Sequence, residues 1–216
     1  MERGSFKIVD IRPVRELMTV SRDAGLESVN GVTYFSMGAG TTISQESYDT
    51  KTIYIGAHEQ TIFLLGTEAS KVKVGPGELL FVPDATLCGM ESTRGSVYTE
   101  IILNKEATMN SVVKAGEAIQ LKNLISYEEG SIANMDIVSN DTMKFVIMAF
   151  DEGTGLTPHR APGNAIITAL EGKAIIGYEG KDYELKEGEC FRFDKNGLHS
   201  VTAQGKFKMS LLLVLK

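Results

Sequence analysis

Tryptophan is absent from the 216 residues, cysteine occurs twice, histidine three times and proline five times. Each scarcity excludes something. Two cysteines, Cys88 and Cys190, are too few for the disulfide framework of a small secreted domain, so free thiols in a reducing cytosol are expected. No apolar run approaches the roughly 20 residues needed to span a bilayer. The opening MERGSFKIVDIRPVRE lacks the apolar stretch behind positive charge that marks a secretory leader. A cytoplasmic protein with no membrane partner is the expectation. Positive charge is also short: 22 basic residues stand against 28 acidic ones, a net charge of −6, and no basic run is interleaved with aromatics. Nothing in that balance supports a nucleic-acid or anionic-membrane partner.

What the chain does have is apolar material, 43% of its residues, enough to close a substantial core and exclude a disordered chain. It comes in short β-branched or aromatic runs: VTYF at 32–35, TIFLL at 61–65, ELLFV at 78–82 and YTEIIL at 98–103. KFVIMAF at 144–150, AIITAL at 165–170 and KMSLLLVL at 208–215 follow. Their length and residue types suit strands, and glycine-bearing turns at 75–77, 179–181 and 186–188 separate them. Many strands at hairpin spacing predict an all-β sandwich or barrel. Residues 14–24 carry the helical hint of the first half.

The runs also repeat. VKVGPGELLFVP at 72–83 matches YELKEGECFRFD at 183–194, which sets Cys88 opposite His199. MGAGTT at 37–42 parallels FDEGTG at 150–155, and each copy closes on an apolar strand. Duplication predicts two domains, 1–111 and 112–216. In the polar stretch between the copies, 117–125 predicts a strand and a short helical turn, and 132–138 an outer strand for the second unit.

The second copy resembles a cupin, a small double-stranded β-helix barrel, and the whole chain resembles a bicupin of the bacterial conserved-barrel type. The resemblance rests on the glycine-to-histidine register Gly153, His159, Ala161, Ala165 and Gly172, and on Gly188, Asp194, Asn196 and His199. It implies tandem jelly-roll barrels and, in metal-binding relatives, three histidines and a carboxylate pointing inward. Here two of those four positions, Ala161 and Ala165, are alanine, leaving His159 and His199. No tightly held cofactor is expected, and a divalent metal only weakly. The first copy carries Gly38, Ser44, Glu46, Thr50, Pro83 and Cys88 in that register, with no histidine, and reads as a degenerate barrel. His58 lies outside the register and reads as a surface or turn residue.

His159 and His199 therefore carry the functional argument, as a two-histidine metal site, as proton-transferring or orienting groups of a pocket, or as remnants. Strand alternation assigns Ala161, Ala165, Ile167 and Val201 to their face, with Met148 and Met209 on the wall. An apolar recess beside two imidazoles suits a small polar or carboxylate ligand. The leading expectation is a small-molecule-binding protein that forms a homodimer. A metal-assisted isomerase, lyase or oxygenase is one alternative, and a non-catalytic structural barrel is another.

Overall fold

Short β-branched and aromatic runs ask for strands, and the regular structure of the computed structural model, which describes residues 4–27 and 31–215, is almost wholly strand. The first copy supplies β1 (Thr19–Asp23), β2 (Val32–Met37), β3 (Thr41–Glu46), β4 (Thr52–His58), β5 (Thr61–Leu65), β6 (Ser70–Val74), β7 (Glu78–Val82), β8 (Cys88–Ser92) and β9 (Ser96–Ile102). β10 (Ala118–Gln120) and one 3-10 turn, Leu121–Asn123, occupy the connection where a strand and helical turn were expected. The second copy supplies β11 (Ile132–Ser139), β12 (Met143–Phe150), β13 (Gly155–Arg160), β14 (Asn164–Glu171), β15 (Lys173–Tyr178), β16 (Lys181–Lys186), β17 (Cys190–Phe193), β18 (Leu198–Ala203) and β19 (Phe207–Val214).

The two copies share one connectivity. In the first, a sheet ordered β1-β2-β9-β4-β7-β10 packs against β3-β8-β5-β6. In the second, β11-β12-β19-β14-β17 packs against β13-β18-β15-β16, the same order but for β10, which has no counterpart strand. This is the tandem jelly-roll architecture that the resemblance implied, in the two copies that the repeat predicted.

One element differs from expectation. Residues 14–24 hold no helix; Thr19–Asp23 runs as β1, paired antiparallel to β2 with Thr19 opposite Met37. The helical hint was short, and pairing along the open edge of β2 satisfies backbone groups that an isolated turn would leave to water. A one-turn helix, α1 (Ile8–Ile11), lies further upstream.

Both faces of each larger sheet are apolar, which produces three cores. Val97 and Ile101 of β9 join a layer shared by the two barrels, whereas Tyr98 between them lies in the first barrel's interior. Likewise Ile166 and Leu170 of β14 enter the shared layer, while Ala165, Ile167 and Ala169 line the second interior. The barrels thus pack back to back through their larger sheets. Each fully buried aliphatic or phenylalanine side chain contributes about 1.5–3 kcal/mol to such a layer.

Two backbone exchanges tie the halves. Phe6 pairs with Cys190, at N–O distances of 3.0 and 2.7 Å, adding an N-terminal segment to the edge of β17. Reciprocally β10 adds to the edge of β7, with Ile119 opposite Leu79. Leu79 and Cys190 are equivalent positions of the repeat. The boundary expected between 111 and 112 falls in the connection that leads into this exchange. Both cysteines are free and buried. Among the described residues, no helix is long and apolar enough to cross a membrane.

Candidate functional site

The paired strands β13 and β18 bring the two distant histidines together. His159 stands directly opposite His199 in the ladder, and their ring centroids are 4.3 Å apart at 52°. A bulge makes that pairing. Leu156 faces Val201 and His159 faces His199, so Thr157 and Pro158 together span the single residue Ser200. Proline has no N–H to give a ladder, and a bulge is where a strand accommodates it.

The surroundings fix both rings. Nδ1 of His159 lies 2.8 Å from the Thr157 carbonyl oxygen, and Nδ1 of His199 lies 3.0 Å from that of Gly197. A carbonyl only accepts, so both neutral rings carry their proton on Nδ1 and leave Nε2 as a lone-pair acceptor. Phe193 stacks on His199 with centroids 4.1 Å apart at 25°. His199 is buried while His159 is exposed. Burial pushes the His199 pKa below its ordinary 6.5, the hydrogen bond to Gly197 opposes the shift, and the neighbouring His159 adds to it.

Of the other residues assigned to this site, Ala165, Ile167, Val201 and Met209 lie in the second barrel's core with Phe150, Phe191, Phe193 and Phe207. Met148 is partly buried against that core, directly opposite Met209 across β12 and β19. Ala161 is buried as well. The nearby carboxylates are engaged elsewhere. Asp151 accepts the Gly130 N–H at 2.8 Å, and Asp194 lies 3.6 Å from Arg192 and 3.3 Å from the Tyr178 hydroxyl. Arg160 donates to the Asn196 carbonyl and lies 3.8 Å from Glu179. Two imidazoles beside alanines do not form the donor set of a resident metal. Among the described residues, no three His, Cys, Asp or Glu side chains converge.

The first barrel contains what sequence reasoning missed. A chamber of about 280 Å³ is lined by Phe35, Tyr48, Tyr54, Tyr98, Glu46 and Glu100, with Cys88 and Met90 among the rest of its wall. Its ladder carries the same bulge: Ile43 faces Met90 and Glu46 faces Cys88. Glu46, not Ser44, therefore stands at the position of His159. Anchoring the register on Gly38 misplaces it by two residues, whereas the match of 37–42 with 150–155 gives the observed pairing.

Burial raises the Glu100 pKa, partly offset by a hydrogen bond from Tyr54. Burial also pushes the Cys88 thiol up to about 11, so it is no ready nucleophile. The clue to this chamber was Glu100 itself, a charge at an inward position of the apolar run 98–103. A second cavity, about 150 Å³, lies between the barrels and is mainly apolar, with Val32, Ile101, Phe145 and Leu212 in its wall. His58 is exposed, as expected.

Comparison with known proteins agrees with this architecture. Residues 146–215 match the family described as the cupin domain. No curated protein sequence matches the chain. A cupin 2 conserved barrel domain protein from Leptotrichia buccalis superposes with a TM-score of 0.85 at 24% identity, covering 99% of this chain and 98% of that one. A salicylate 1,2-dioxygenase from Pseudaminobacter salicylatoxidans superposes at 0.68 with 10% identity, covering 99% and 84%. Its adduct with gentisate gives 0.67 at 11% identity, covering 98% and 80%. At these identities the likeness is one of fold: each half of the chain is a double-stranded β-helix barrel, and the match to the cupin domain lies in the second.

Proposed function

We propose that this tandem cupin chain is a small-molecule-binding protein whose second barrel recognises a small polar or carboxylate ligand through His159 and His199. The observation that carries the reading is the shared tautomer: two adjacent rings, each with Nδ1 anchored to a main-chain carbonyl, present Nε2 as the remaining polar atom. Two such acceptors suit a ligand that offers hydroxyl protons. A carboxylate engages them once an imidazole has taken up a proton, and because burial favours neutral His199, its binding near neutral pH is coupled to proton uptake.

The test is calorimetric titration with a panel of small hydroxy acids and their esters, in buffers of differing ionisation enthalpy. We expect His159→Ala and His199→Ala each to weaken acid binding by about tenfold or more, the loss of a charge-assisted hydrogen bond. Proton uptake should disappear with them. Unchanged affinity in both folded variants would refute the assignment. Stoichiometric divalent metal in the native protein, lost in both variants, would instead support the metal-assisted reading.

A further inference from the structure

We propose that the chamber of the first barrel is a separate binding site and that it takes a small organic cation, an ammonium carried on an aliphatic or aromatic body. The argument begins with the charges in its wall. Among the described residues, Glu46 and Glu100 are the charged side chains lining it, and no lysine, arginine or histidine accompanies them. Lys51, adjacent in sequence to Thr50 and Thr52 of the wall, directs its ammonium to the carbonyls of Lys105 and Ala107 at 3.0 and 2.9 Å. An anionic ligand would meet two carboxyl groups and no counter-charge, so the chamber selects against it.

The rings add a second preference. Phe35 and Tyr98 stack with centroids 5.1 Å apart, and Tyr54 meets Tyr98 edge-on at 5.9 Å. Tyr48 stands at the exposed rim, hydrogen-bonded to Glu46. Four aromatic rings and two carboxyl groups around one space are the elements that bind ammonium groups, through the negative ring faces and through direct ion pairing. Tyr98 supplies an independent sign of an incomplete site: it is fully buried, it lines the chamber, and its hydroxyl has no hydrogen-bond partner. Buried polar groups in folded proteins are normally satisfied, and an occupant carrying an N–H donor and a polar substituent can satisfy Glu100 directly and this hydroxyl once the wall now covering it shifts.

A bare metal ion is the poorer occupant. Glu46, Cys88 and Glu100 share the wall without converging as a three-donor set. The space is also too large for an ion. Since a cavity of about 150 Å³ holds benzene, a chamber near twice that size accommodates about ten non-hydrogen atoms.

The absence of tryptophan makes the test direct, because Tyr48, Tyr54 and Tyr98 in the wall contribute to the chain's tyrosine emission without indole masking it. The full-length protein is titrated with phenethylammonium, choline, the neutral 2-phenylethanol and the anionic 3-phenylpropionate. Saturable quenching by an ammonium probe is expected. The neutral analogue should bind about tenfold more weakly or worse, and the anion should leave this emission unchanged. Glu100→Gln should weaken ammonium binding by about tenfold. Glu46→Gln, on the exposed rim, keeps the test open should the deeper variant not fold, and should also reduce affinity. No saturable signal with any ammonium probe would overturn the proposal. So would equal affinity for the neutral or anionic analogue, or undiminished ammonium binding in the folded variants.

Discussion

His199 is a buried base held neutral, and that has a consequence for stability as well as recognition. Its native pKa lies below 6.5, so as the solution is acidified the unfolded chain takes up a proton that the native state resists. The stability this group contributes is complete above 6.5 and is lost as the pH falls through the lowered native value. Urea midpoints measured from neutral to mildly acidic pH should decline over that window. His199→Gln, which cannot titrate, should remove that part of the decline. The histidine pair was legible in the sequence because both residues occupy motif positions that a barrel brings together. Glu100 was not, because it hides inside YTEIIL, a run that reads as apolar until its alternate faces are weighed separately. Period two places Tyr98, Glu100 and Ile102 on one face, and all three line the chamber.

Strands and turns carry a second class of information. Gly172, which closes the first motif between β14 and β15, has φ +74°, and a Cβ there would lie 2.2 Å from the Lys206 carbonyl oxygen. Gly172→Ala must therefore strain the turn and push the 206–207 backbone aside. A loss of about 1–3 kcal/mol is expected, read as a lowered urea midpoint with an unchanged slope. Most strands could be read from β-branched runs bounded by glycine, since burial on two faces leaves such runs few polar interruptions. The edges were harder. β1 was obscured because its fate depends on the open edge of β2, whose paired residues lie 10 to 18 positions further along the chain. The matched bulges before His159 and Glu46 were equally hidden, because a bulge is a property of two strands, and of the two registers the sequence offers the ladder selects the one in which Glu46 and not Ser44 faces Cys88.

Across the whole molecule, the layer between the barrels decides what each half can do alone. Ile53, Ile101 and Leu79 of the first barrel share it with Ile147, Ile166 and Leu212 of the second. A homodimer is expected of this chain, yet two devices that commonly join barrel subunits, a buried outer sheet face and an added N-terminal segment, here operate within one chain. A dimer of whole chains would need other surfaces, such as that around the exposed Leu17 and Met18. Residues 112–216 expressed alone would present their half of the layer to water, so the fragment should self-associate in sedimentation velocity, whereas adding the 1–111 fragment should dissolve those associations into a one-to-one pair. Tethering changes the thermodynamic order of that joint. Two free fragments separate as they are diluted, whereas halves on one polypeptide face a fixed local concentration, so the melting temperature of the intact chain should not move with dilution although that of the reassembled pair does.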